Sequence, residues 1–113
     1  MSHAAGMAAE EEVARLYERA GCQVLARRWR GTEGEIDLIL QDGAETVFVE
    51  VKRSKTQAQA AARLSARQIQ RITTSAAEFL ADLPSGSLTP VRFDVGLVYG
   101  DGQAEILRGA IGS

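Results

Sequence analysis

Two stretches of the sequence decide the fold. Residues 34–40 read Gly-Glu-Ile-Asp-Leu-Ile-Leu, and residues 47–52 read Val-Phe-Val-Glu-Val-Lys. Apolar and charged residues alternate in each, which predicts one strand over about 34–41 and another over about 46–53. A turn signal at Asp42-Gly43 separates them, so we expect a hairpin. Because side chains alternate between the faces of a strand, Asp37 should lie opposite Phe48 or Glu50. Either register places Asp37, Glu50 and Lys52 on one side of the hairpin.

The two carboxylates of this hairpin suggest a cation site. Like charges across a strand pair repel each other, and a divalent cation would convert that repulsion into coordination. A hard ion such as Mg²⁺ prefers oxygen ligands, often carboxylates together with a substrate phosphate. Lys52 could then orient a water molecule or stabilise negative charge. The alternative is that Asp37, Glu50 and Lys52 form the solvated side of an amphipathic hairpin.

Length and composition indicate a single globular domain. The chain has 113 residues, of which 45% are hydrophobic and 25% are charged. We expect residues 1–7 to be a disordered N-terminus and residues 8–113 to form one domain. No apolar run approaches the ~20 residues of a membrane span, and the first residues do not resemble a secretory signal, so no membrane is expected as a partner. Cys22 is the single cysteine, which excludes an internal disulfide and favours the cytoplasm as the location.

The remaining patterns predict an α/β fold, a mixed sheet flanked by helices. Apolar stripes at helical spacing predict a helix over 8–20 and a long helix over 58–83. Further strands are expected over 23–29, 91–99 and 105–107. The predicted order is therefore α-β-β-β-α-β-β.

Three more polar residues are candidates for a site near the hairpin. At about 100° per residue, Glu10 lies near the edge of the apolar stripe of the first helix. The alternative is that Glu10 only complements the positive end of that helix. Gln68 lies at the border of the buried face of the long helix and could reach the site or have no specific role. Glu35 shares a face with Asp37 and could be an accessory acid or the partner of an arginine.

Three basic clusters could contact phosphate groups of a nucleic acid. Such contacts position a nucleic acid without reading its sequence, although solvated surface is the usual role of arginine stripes. The net charge of −2 argues against tight, non-specific DNA binding. The clusters are Arg63, Arg67 and Arg71; Arg27, Arg28 and Arg30; and Lys52, Arg53 and Lys55.

Two levels of resemblance follow from these residues. The spacing D-x12-E-x-K formed by Asp37, Glu50 and Lys52 resembles the metal site of the PD-(D/E)xK nuclease superfamily, which has a restriction-endonuclease-like fold. The ordered set of residues 25–30, 34–39, 47–52 and 92–95 resembles the YraN-like family, a group of small bacterial proteins with predicted nuclease architecture. This second resemblance runs from about Glu10 to Ile106.

The resemblance implies specific roles for these residues. Asp37 and Glu50 would bind Mg²⁺ or Mn²⁺ together with the backbone carbonyl of Val51, and Lys52 would assist catalysis. Counting back from Gly21 to the first-helix glutamate of the family gives Glu10. Two positions depart from the family pattern, which usually has lysine near Gln68 and asparagine at Arg28.

The implied activity is metal-dependent hydrolysis of DNA phosphodiester bonds. The superfamily includes junction resolvases, which makes branched or structured DNA the implied substrate and a homodimer the implied assembly. The alternative function is a non-catalytic nucleic-acid-binding or interaction module that retains the nuclease fold. The net acidity, the short chain and Gln68 favour that alternative.

Overall fold

A five-stranded mixed sheet lies between helices in the computed structural model, which describes residues 3–61 and 64–111. The strands follow one another across the sheet in chain order, and only the central pair β3–β4 is parallel. The expected α/β class and mixed sheet are therefore confirmed. The elements are α1 His3–Arg19, β1 Gln23–Arg30, β2 Glu35–Asp42, β3 Glu45–Ser54, α2 Gln57–Ala61, α3 Ala66–Ala81, a 3-10 turn Gly86–Leu88, β4 Val91–Tyr99 and β5 Gln103–Leu107.

The hairpin β2–β3 opens into a fork at one end. Its register runs from Asp42 opposite Glu45 to Leu38 opposite Val49 and stops there. Beyond that point β2 stays paired with β1 as far as residue 35, and β3 stays paired with β4 as far as residue 54. The same register, continued by one step, sets Asp37 opposite Glu50. The two strands therefore separate at the residues that the sequence singled out.

Each face of the sheet is covered by one long helix. Val13, Ala14 and Tyr17 of α1 are fully buried against apolar residues of β2 and β3. Helix α3 covers the other face, where Ile72 and Ala76 are buried. Hydrophobic burial against the two faces fixes both helices to the sheet. Helix side chains that point past the edge of the sheet toward the fork are therefore held in place as well.

The prediction of one long helix over 58–83 is wrong, because the residues described in this range form two helices. Helix α2 ends at Ala61, Leu64 and Ser65 are not helical, and α3 runs from Ala66 to Ala81. Ser65 caps α3: its side chain accepts a hydrogen bond from the backbone N–H of Gln68, and the Gln68 side chain accepts one from the backbone N–H of Ser65. This capping box satisfies free N–H groups at a new helix start, so it favours a break over continuation.

The first helix also differs from its predicted extent. It begins at His3 and ends at Arg19, whereas the pattern predicted 8–20. Disorder of residues 1–7 stays a prediction. Of the helices in the described residues, none is long and apolar enough to cross a membrane.

Candidate functional site

The fork between β2 and β3 is filled by the side chain of Asp37. Its Oδ2 accepts a hydrogen bond of 2.8 Å from the backbone N–H of Val51. A backbone N–H at the point where a ladder ends needs another acceptor, and the carboxylate supplies it. Asp37 is thereby held between the two strands, with the other residues of the site around it.

Glu50 lies on the opposite side of the fork and is almost fully buried, with 4% of its surface exposed. Its Oε2 is 3.3 Å from Nη2 of Arg71 and 3.9 Å from Nζ of Lys52. Burial is the main cause that raises the pKa of Glu50 well above its usual range, followed by hydrogen bonding with Asp37 and repulsion from its charge. Lys52 and Arg71 act in the opposite direction. The Glu50 carboxyl therefore tends to retain a proton, or requires a cation when it is ionised.

Glu10 approaches Asp37 from α1. The pKa of Glu10 is raised to about 7, first by burial and then by the charge of Asp37, while Arg28 lowers it. The next residue along the helix, Glu11, points elsewhere, because its carboxylate contacts Nε of Arg27 at 2.7 Å. Helical periodicity separated these two glutamates in the sequence, and the structure brings only the first of them toward Asp37.

Arg28 reaches the site through an unusual backbone conformation. Its φ is 51°, in the left-handed region that residues with a side chain seldom adopt. The regular alternation of β1 breaks here, since Ala26 and Trp29 both pack on the α3 face. Nε of Arg28 lies 3.7 Å from carboxylate oxygens of both Glu10 and Glu35. Asparagine, which the family resemblance leads one to expect here, adopts this conformation more readily.

The donor set of the site suits a hard divalent cation. Asp37, Glu50 and Glu10 offer only carboxylate oxygens, which Mg²⁺ and Mn²⁺ prefer to nitrogen or sulfur. The described residues hold no group of three or more histidine, cysteine, aspartate or glutamate side chains arranged as a ready metal site. Asp37 Oδ2 instead accepts from the Val51 N–H, and Glu50 Oε2 faces two cationic side chains. On donor chemistry the residues fit a hard cation, which would compete with these contacts.

The other predicted residues lie at varying distances from this cluster. The Gln68 oxygen caps α3, and Arg63 is outside the described residues. Arg30 contacts Glu35 at 3.1 Å, which gives Glu35 two arginine partners. Arg53 lines a groove beside the first turns of α1 together with Arg15.

Sequence reasoning missed the contact between Arg71 and Glu50. Arg71 was expected to belong, with Arg63 and Arg67, to a basic stripe that contacts phosphate groups or is solvated, yet its Nη2 lies 3.3 Å from Oε2 of the buried Glu50. Its place next to the buried Ile72 was the available signal, because a long side chain beside a buried stripe can turn inward.

A second buried charged group lies away from the fork. Asp94 is fully buried and accepts hydrogen bonds from the Tyr17 hydroxyl at 2.7 Å, from Nε of Arg92 at 3.0 Å and from the Gly109 N–H at 2.9 Å. It thus connects α1, β4 and the segment that follows β5. All its visible partners are structural, so we assign it to the scaffold.

Comparison with known proteins identifies the family. The family described as "Uncharacterised protein family UPF0102" matches residues 9–98. A UPF0102 protein of Cereibacter sphaeroides is 62% identical over 110 residues, covering 97% of this chain and 94% of the relative. A UPF0102 protein of Ruegeria pomeroyi is 57% identical over 111 residues, covering 98% of this chain and 90% of the relative. The YraN-like resemblance is thus confirmed, and the chain belongs to the UPF0102 family.

Proposed function

We propose that this protein is a metal-dependent endonuclease that hydrolyses DNA phosphodiester bonds, with branched or structured DNA as its substrate class. The proposal includes the restriction-endonuclease-like fold and the PD-(D/E)xK superfamily. The observation that carries it is the convergence of Asp37, Glu50, Lys52 and Glu10 at the fork between β2 and β3. Carboxylates held close together at a cost, beside a lysine, are typical of a site that binds a cation and an anionic substrate.

Each residue of the site would have its own role in metal binding or catalysis. Asp37 and Glu50 would hold Mg²⁺ or Mn²⁺, with the Val51 carbonyl and Glu10 as further oxygen donors. When bound, such a cation supplies charge to polarise the scissile phosphate and lower the pKa of an attacking water. Lys52, only 14% exposed and directed at Glu50, would place its ammonium near the charge that develops on the phosphate.

The proposal also includes an oligomeric state and a cellular location. A homodimer would supply the second site that a paired cut in branched DNA requires. A cytoplasmic location agrees with the presence of a single, buried cysteine. Sedimentation analysis with and without four-way DNA would measure the assembly.

A matched pair of glutamate variants tests the activity. Cleavage of linear, flap and four-way DNA should be measured with Mg²⁺, Mn²⁺ or a chelator. Asp37→Asn and Glu10→Gln should each lose about 10²-fold or more in rate, a size typical of removing an electrostatic catalytic group. Glu11→Gln is the control, because it changes the same charge on the same helix away from the fork. Equal rates for the Glu10 and Glu11 variants would remove Glu10 from the site.

The second candidate is a non-catalytic nucleic-acid-binding or interaction module. The observation that favours it is the pairing of Glu50 with Arg71 and Lys52, which gives the carboxylate cationic partners from the chain itself. Calorimetry with Mn²⁺ separates the two candidates. The nuclease should bind the ion and lose binding in Asp37→Ala, whereas a module of this kind needs no metal. DNA binding without metal binding or cleavage would favour the module.

A further inference from the structure

Arg71 reaches Glu50 along a path that only a glycine leaves open. The arginine extends from α3 across the backbone of Gly34 before its Nη2 meets Glu50 Oε2 at 3.3 Å. A Cβ at Gly34 would lie 2.4 Å from Cδ of Arg71, far inside any normal contact. The Ser75 hydroxyl donates a hydrogen bond of 3.3 Å to the Gly34 carbonyl, which fixes this turn to α3. The turn at Gly34 and helix α3 thus form a narrow channel through which the Arg71 side chain reaches Glu50.

At the outer end of this channel, the Arg71 side chain also lines a surface groove. This groove, which we call the α3 groove, has a volume of about 370 Å³. Nε of Arg71 is buried and has no hydrogen-bond acceptor among the described residues, so the guanidinium has unused donor capacity. The α3 groove is lined by Glu33, Arg67, Gln70, Arg71 and Thr74.

We propose that Arg71 is the resting-state counter-cation of Glu50 and leaves it for a nucleic-acid phosphate in the α3 groove when a divalent cation binds. This inference rests on the proposed function and adds a positioning residue to it. A divalent cation held by Glu50 would lie close to the guanidinium that already contacts Oε2, and repulsion between these positive charges makes the two compete. A phosphate favours the exchange, because arginine forms paired hydrogen bonds with phosphate oxygens.

Of the two cationic side chains beside Glu50, Arg71 is the one that can move away from the carboxylate. The Lys52 side chain is 14% exposed and belongs to the central part of the sheet, whereas that of Arg71 is 38% exposed on a helix surface. Arg67 lies one helical turn earlier and faces the same groove, which gives the phosphate a second partner. Metal binding and phosphate binding are therefore coupled through a single guanidinium.

Mg²⁺ calorimetry on two matched variants tests the proposal. Arg71→Gln and Arg67→Gln each remove one positive charge from the same helix, but only Arg71 contacts Glu50. In the same buffer, Arg71→Gln should bind Mg²⁺ about ten-fold more tightly than the wild type, because the competing guanidinium is gone, and Arg67→Gln should change affinity by no more than about two-fold. Equal affinities in the wild type and both variants would overturn the role of Arg71 and leave the nuclease proposal standing. A complete absence of Mg²⁺ binding in all three would overturn both.

A second measurement uses the unmodified protein and does not depend on the folding of a variant. Nuclear magnetic resonance resolves arginine Nε–H signals individually. Mg²⁺ should shift the Arg71 signal in step with binding and leave the Arg67 signal unchanged, and a short duplex should shift both. An Arg71 signal that stays constant up to saturation with Mg²⁺ would show that the guanidinium remains on Glu50, and the proposal would be wrong.

Discussion

Asp37 is the residue on which both the backbone and the site depend. One oxygen supplies the acceptor that the Val51 N–H lacks where the ladder ends, and the carboxylate lies beside both Glu50 and Glu10. The hydrogen bond stabilises the fork, while the repulsion destabilises it. These two contributions can be separated, because an amide keeps the acceptor and removes the charge.

Substitution of Asp37 therefore has two expected outcomes. In a chelator, Asp37→Asn should unfold with the same free energy as the wild type or a higher one, since the amide oxygen still accepts from Val51. Asp37→Ala should be less stable by about 1–3 kcal/mol, because the N–H loses its partner. Mn²⁺ should raise the melting temperature of the wild type and of neither variant. If Asp37→Asn unfolds without metal, the charge itself is structural and the nuclease proposal loses its main support.

The raised pKa values of Glu10 and Glu50 predict how stability depends on pH. Each has a folded-state pKa above its ordinary value of 4.5, with Glu10 at about 7. The folded protein therefore holds protons on these two groups that the unfolded chain has released, so their contribution to the free energy of unfolding falls as pH rises above 4.5, through 7 and beyond. Denaturant unfolding in a chelator should show wild type and Glu50→Gln alike at low pH, with the wild type losing stability relative to the variant as pH increases. A constant difference across pH would contradict the raised pKa of Glu50.

Single-residue patterns predicted the carboxylates of the site better than their partners. Strand alternation placed Asp37 and Glu50 together, and helical periodicity distinguished Glu10 from Glu11. Arg71 lies 21 residues from Glu50 and reaches it only because Gly34 leaves room, so the contact depends on tertiary packing. Local periodicity carries no information about such a path.

At the scale of secondary-structure elements, the prediction of one long helix was wrong at the start of α3. The alanine-rich segment before it continues a helical pattern without proline or glycine, so nothing in composition marks a stop. The informative signal was Ser65 followed by Gln68 three residues later, which matches a capping box. A helix start hidden inside a helical pattern can be recognised only by its cap.

This cap yields a prediction that separates two roles of Gln68. Gln68→Ala should lower the free energy of unfolding by about 1 kcal/mol, because the Ser65 N–H loses its acceptor. Gln68→Glu should retain most of the stability, since glutamate serves equally well in a capping box. Chemical denaturation measures both. If Gln68→Ala is as stable as the wild type while DNA cleavage falls, Gln68 acts in the site rather than as a cap.

At the scale of the whole molecule, α1 connects the core to the site. It is attached to the sheet through the Tyr17 hydrogen bond to Asp94 and through close packing of Val13 on Gly96. Glu10 lies one turn before Val13 on the same helix. The depth to which α1 packs on the sheet therefore sets the distance between Glu10 and the fork.

Gly96→Ala tests this connection between packing and site. A Cβ at Gly96 would lie 2.7 Å from Cγ1 of Val13, so the helix must shift outward. We expect the free energy of unfolding to fall by about 1–3 kcal/mol, the usual effect of overpacking a core. Mg²⁺ affinity should fall as well, because Glu10 moves with the helix.

Val13→Ala restores the space that the new Cβ needs. The double variant should therefore lose less stability than the sum of the two single losses, with a coupling of about 0.5–3 kcal/mol in a denaturant-based mutant cycle. Strict additivity would show that Gly96 and Val13 are not coupled, and an unchanged Mg²⁺ affinity in Gly96→Ala would show that the depth of α1 does not control the site.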